Sequence, residues 1–140
     1  MGVEENKAAL VEAIDAFNDA EDRRRYLEIH DPSVTAHGLG SEEPVDIEGV
    51  KEFYEMLWGA FPDVEATIED VLGEGDTVAF RVTVRGTHQG EFMGVAPSGN
   101  QITIGVQNIY RFRDGKVVER WTNPDMLGLM VQIGAIPAPG

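Results

Sequence analysis

Cysteine is absent from the 140 residues, which leaves no disulfide framework, no thiolate metal site and no cysteine nucleophile. Lysine is almost absent: Lys7, Lys51 and Lys116 stand against 25 acidic residues, and the formal charge is −14. Phosphate binding needs clustered positive charge, so this balance argues against nucleic acid or an anionic membrane as partner. The one basic run, Arg23-Arg24-Arg25, lies among Glu21, Asp22 and Glu28 and reads as a salt-bridged helix face. Such an acidic chain repels itself in dilute buffer and is screened in concentrated salt, which points to a salt-loving source. Long apolar runs are missing too, since nothing approaches the roughly 20 residues needed to span a bilayer. The start, MGVEENKAAL, has no basic region followed by an apolar stretch, and the expected location is cytoplasmic. His30, His37 and His88 form neither an HxH nor an HExxH pattern, so no metal is expected. Ser33, Ser41 and Ser98 lack a GxSxG-like elbow for a serine nucleophile.

What is present reads as one domain over residues 1–140, with a loose tail at 136–140. Leu10, Val11, Ile14 and Phe17 recur at helical spacing within 4–20, and a second short helix ends near His30 before Asp31-Pro32. Val34 to His37 is a short extended piece. Val50, Phe53, Tyr54, Leu57, Trp58 and Phe61 then form one stripe of a helix that Pro62 ends. From residue 64 the period falls from 3.6 to 2. Strands are expected at 64–72, 77–87, 101–113 and 116–122, with Ile102, Ile104, Val106, Asn108, Tyr110 and Phe112 on one face. Asp125 starts a last helix, Met126 to Ile133, closed by Gly134. Helices first and meandering strands after imply α+β, the helices covering one sheet face.

Asp114-Gly115 is a hairpin signal with two competing registers. A two-residue loop pairs Asn108 with Trp121 and Tyr110 with Glu119. A three-residue loop with a bulge at Gly115 pairs Tyr110 with Val118, Asn108 with Arg120 and Val106 with Thr122. The second is favoured because it keeps Glu119 off the apolar face. Asn108, Arg120 and Thr122 then form a polar cluster in a greasy surround, which is either a ligand pocket or a buried hydrogen-bonded network. His37 and His88 follow or end extended segments beside glycine, and each is either an acid/base or a turn histidine. Asp125 is either a helix cap or, held against Trp121, Trp58 or Phe61, a proton shuttle. His30 reads as a helix end only.

The strings GTHQGEFMGVAPSG, YRFRDGKVVERW and PDMLGLMVQIG occur in that order, with His37-Gly38 and Ala60-Phe61-Pro62-Asp63 upstream. Together they resemble the SnoaL-like polyketide cyclases over nearly the whole chain. The resemblance implies the cone shared with nuclear-transport-factor-2-like proteins: a barrel-like, curved antiparallel sheet with the N-terminal helices over its concave face. It also implies a homodimer or higher homo-oligomer, a small-molecule ligand, no cofactor, and aldol ring closure in which a pocket carboxylate moves the proton. Aligned on the DGK and Pro124-Asp125 marks, that carboxylate falls on Thr122 and a pocket histidine on Asn108. The expected chemistry is therefore proton transfer on a small apolar carbonyl compound, with His37 or Asp125 as acid/base and Arg120 as electrostatic stabiliser. Asn108 and Tyr110 orient the substrate, Thr122 and His88 line the pocket, and Trp58, Phe61 and Trp121 supply its apolar wall. The alternative is a noncatalytic binding module of the same fold.

Overall fold

The computed structural model describes residues 2–137; of the tail expected at 136–140, residues 138–140 lie outside the described residues. Leu10, Ile14 and Phe17 make the buried stripe of helix α1, Val3–Phe17. The charged stretch that follows closes into a 3-10 turn, Arg23–Ile29, with Tyr26 and Ile29 buried. Of its basic run only Arg25 pairs locally as expected, with Asp22, whereas Arg24 pairs with Glu55 and Arg23 donates to the Pro62 carbonyl. Helix α2, Ile47–Ala60, begins where the Asp46 side chain accepts from the Gly49 N–H.

Strands β1 (His30–His37), β2 (Glu65–Glu74), β3 (Thr77–Thr87), β4 (Gln101–Arg113) and β5 (Lys116–Pro124) form one sheet in the order β1-β5-β4-β3-β2. It is an open, curved, mixed sheet rather than an all-antiparallel one. β1 runs parallel to β5, because the chain between them returns through α2 and the meander. The helices lie on one face, where the alternating residues Val78, Phe80 and Val82 of β3 and Ile102 and Ile104 of β4 meet Leu10, Phe17, Val50 and Trp58 in a single core. Helix α3, Met126–Gln132, closes one end against β4.

The β4–β5 hairpin follows neither expected register. Asp114 (φ 51°) and Gly115 (φ 80°) both take left-handed conformations, giving a two-residue turn with Arg113 opposite Lys116. Val118 is then left over as a β-bulge, after which Tyr110 faces Arg120, Asn108 faces Thr122 and Val106 faces Pro124. The favoured expectation had the correct inward face and the wrong partners, because the extra residue sits in the strand and not in the turn. At the edge of β5, Gly38 (φ +85°) packs so closely that a Cβ there would stand 1.9 Å from the Thr122 carbonyl oxygen, so only glycine fits.

Candidate functional site

The inward rows of β4 and β5 bring Asn108, Tyr110, Arg120 and Thr122 together, and each is buried. Arg120, 1% exposed, is the largest fully buried side chain. Its Nη1 donates to Tyr26 Oη (3.2 Å) and His30 Nε2 (3.0 Å), and its Nη2 to Tyr54 Oη (2.8 Å) and Thr122 Oγ1 (2.8 Å). The guanidinium also lies over the Tyr110 ring at 4.6 Å and the Tyr54 ring at 5.5 Å. Tyr26 Oη is 3.1 Å from Tyr54 Oη and 2.6 Å from Tyr110 Oη, so three phenols from three elements share one network. Among the described residues Arg120 has no carboxylate partner.

This buried cation sets the local electrostatics. Burial opposes its charge, and the surrounding oxygens of Tyr110, Tyr26 and Tyr54 more than offset that, so it stays protonated. His30 is pushed down to about 3 by burial and by the neighbouring guanidinium, and is therefore a neutral acceptor. Burial raises Tyr54 and Tyr110 well above the ordinary phenol value, so both keep their protons.

In front of this cluster lies a cavity of about 100 Å³. Phe17, Phe80, Val82, Ile104, Phe92 and Leu129 give it an apolar wall, and Tyr26, Tyr54, Tyr110, Asn108 and Thr122 supply its polar end. The half-buried Phe53, Leu57, Val106 and Met126 complete it between α2, β4 and the start of α3. No carboxylate, imidazole or lysine lines it among the described residues. No group of His, Cys, Asp and Glu suited to a metal ion occurs there either.

Several expected site residues stand elsewhere. His37 points to the opposite, convex face of the sheet, where its Nε2 donates to Glu119 Oε2 (2.9 Å) and its ring stacks on Trp121 at 5.3 Å. The reason is parity: Val34 and Ala36 take the inward positions of β1, leaving His37 outside. Trp121 shares that outer face, flanked by the Arg111 guanidinium, and builds no wall of the inward cavity. Asp125 is exposed and accepts from the Gly128 N–H at 2.8 Å, so of its two readings the helix cap is the one present.

Trp58, Phe61 and His88 are buried behind the cavity. Trp58 backs Phe17 and Tyr54, while Phe61 packs on His88 and on Phe92, which does line the cavity. His88 Nδ1 accepts from the Ser98 N–H (3.1 Å), fixing the neck of the 88–100 loop that carries Phe92. Tyr26, Tyr54 and His30 were not assigned to the site from the sequence. The only hint was a phenol on the otherwise apolar stripe of α2. Nothing local marks Tyr26, whose hydroxyl partner Tyr110 lies 84 residues away.

A family model for SnoaL-like polyketide cyclases matches residues 8–133. No curated protein sequence matches at a significant level. Among solved structures, AclR of Streptomyces galilaeus, a proposed hydroxylase, is 33% identical with a TM-score of 0.88, over 99% of this chain and 86% of its own. IdmH of Streptomyces antibioticus, a proposed polyketide cyclase, is 33% identical with a TM-score of 0.74, over 89% and 97%. A proposed SnoaL-like polyketide cyclase from Jannaschia sp. CCS1 is 29% identical with a TM-score of 0.79, over 96% and 95%.

Proposed function

The chain belongs to the SnoaL-like polyketide cyclase family, and on that premise we propose that its cavity takes a small, mostly apolar, carbonyl-bearing substrate and supports proton transfer beside the carbonyl. The α+β cone of nuclear-transport-factor-2-like proteins supplies the hollow. The substrate's body lies against Phe80, Val82 and Ile104, and its oxygen against the hydroxyls of Tyr54, Tyr110 and Thr122. When solvent water takes the α-proton, the electron pair of the broken C–H bond moves onto that oxygen as negative charge. Fixed donors backed by a buried cation stabilise it without reorganising, and a single such donor is worth about 10²–10³ in rate. Aldol ring closure and isomerisation both pass through that enolate.

The observation that carries this reading is Arg120, a fully buried cation that spends its hydrogen bonds on neutral groups, three of which border the cavity. Burying a charge without a counter-ion is strongly unfavourable, and such an arrangement persists where function requires it. His37 and Asp125 lie outside the cavity and take no part; Arg120 is the electrostatic stabiliser, Asn108 and Tyr110 the orienters.

Exchange of the α-protons of 2-tetralone into deuterated buffer, followed by NMR, tests the proposal. The protein should accelerate exchange, and Arg120→Met should remove about 10²-fold of the gain. Exchange no faster than in buffer, with 2-tetralone bound, establishes instead a noncatalytic binding module. One observation favours that second reading: among the described residues the cavity lining contains no carboxylate or imidazole to act as base.

A further inference from the structure

The hydrogen-bond count at the polar end of the cavity is unbalanced. Four of the five N–H groups of Arg120 are used, two on Tyr26 Oη and His30 Nε2 and two on Tyr54 Oη and Thr122 Oγ1. The His30 Nδ1–H is given to the Leu27 carbonyl (3.0 Å), so its Nε2 offers only a lone pair. The three phenols have three protons and two mutual contacts, Tyr26–Tyr54 and Tyr26–Tyr110, so one phenol proton is surplus. Thr122 Oγ1 accepts from Arg120 and its own proton is unassigned. A hydroxyl that accepts from the guanidinium turns its lone pair to the cation and its proton away from it. The cavity thus meets at least two unclaimed hydroxyl protons, with an uncompensated positive charge directly behind them.

Resting on the ligand-cavity reading above, we propose that the ligand is bound as an anion: an acidic enol or ring hydroxyl whose ionised oxygen settles on the hydroxyls of Thr122 and the Tyr54/Tyr110 pair, with Arg120 as its counter-ion through them. The ligand's O–H bond breaks in water, before or on entry. Its electron pair stays on the oxygen and its proton goes to solvent, so the protein needs no general base. Every element around the guanidinium agrees with this: the 3-10 turn contributes Tyr26, β1 His30, α2 Tyr54, β4 Tyr110 and β5 Thr122, none of them a carboxylate. Neutral His30 adds no second positive charge, and the protonated tyrosines add no negative one. The overall charge of −14 slows the approach of an anion from a distance, so affinities are to be compared at one fixed ionic strength.

4-Nitrophenol is a direct probe, because its anion absorbs visible light and its neutral form does not; 4-nitroanisole is the analogue that cannot ionise. Below the pKa of the free phenol, the bound probe should show the phenolate band and bind at least about tenfold more tightly than the anisole. Arg120→Met should abolish both the band and the preference for the phenol over the anisole. Thr122→Val, which removes one surplus donor and keeps the shape, should lower the preference by about threefold even if the arginine variant does not fold. A bound phenol that stays neutral, or an anisole that binds equally well, overturns the proposal and leaves the cavity reading standing. Binding of neither probe overturns both.

Discussion

His30 carries the imprint of the cation beside it. Its pKa falls from 6.5 to about 3 on folding, so between those values the unfolded chain holds a proton that the native state refuses. Stability therefore rises with pH across that window and is lost as pH falls from about 6.5 towards 3. From pH 7 to pH 5 the loss from this residue comes to about 2 kcal/mol. Urea unfolding of His30→Gln, which keeps an acceptor and cannot be charged, should lack that increment; an unchanged loss between the two pH values would sink the assignment. At this scale the sequence was informative where alternation applied. Asn108, Tyr110 and Phe112 share a face in a strand of 13 residues, long enough to fix which side is inward. His37 sits at the end of a short strand whose phase is set by Val34 and Ala36 and by pairing with β5, neither visible locally. Tyr26 and Tyr54 stayed hidden because their hydroxyl contacts cross from the 3-10 turn to α2 and β4, and spacing along the chain does not encode a meeting of that kind.

Among the elements, α3 is short and owes its start to Asp125, whose carboxylate holds the Gly128 N–H. A Cβ at 128 would stand 2.2 Å from Asp125 Oδ2, so a larger residue there would push the capping carboxylate aside. Met126 and Leu129 line the cavity, so fraying of this helix loosens its wall. Asp125→Ala should destabilise the protein by about 1 kcal/mol and speed amide exchange across 126–132, whereas Asp125→Asn, which can still cap, should do little. Were the aspartate a general base, the asparagine variant would instead lose turnover of 2-tetralone exchange outright while keeping normal amide protection. The boundaries of β3, β4 and α3 could be read almost to the residue, because period and punctuation agree there. The sheet's parallel edge could not, since nothing in residues 30–37 says which neighbour they join or in which direction. The hairpin was legible in kind, a DG turn and a bulge, but the location of the extra residue depends on packing of Val117 and Phe112 in the core.

For the molecule as a whole, the dominant feature is its surplus of negative charge. Most of the carboxylates are solvated, and the pairs at the surface, such as Arg24–Glu55 and Arg81–Asp70, are too exposed to contribute much. Self-repulsion then works against the folded state until counter-ions screen it. Melting temperature should rise from dilute buffer to molar KCl, and a flat or falling trend would show that repulsion is not what limits stability. Against this outer field the interior has the opposite sign, and that inversion rests on Val118, the residue left unpaired in β5. It acts as a spacer on a ruler of pitch two. Without it, the residues beyond would trade sides, the guanidinium going to water and Glu119 to the hollow, and the charge presented to that hollow would change sign.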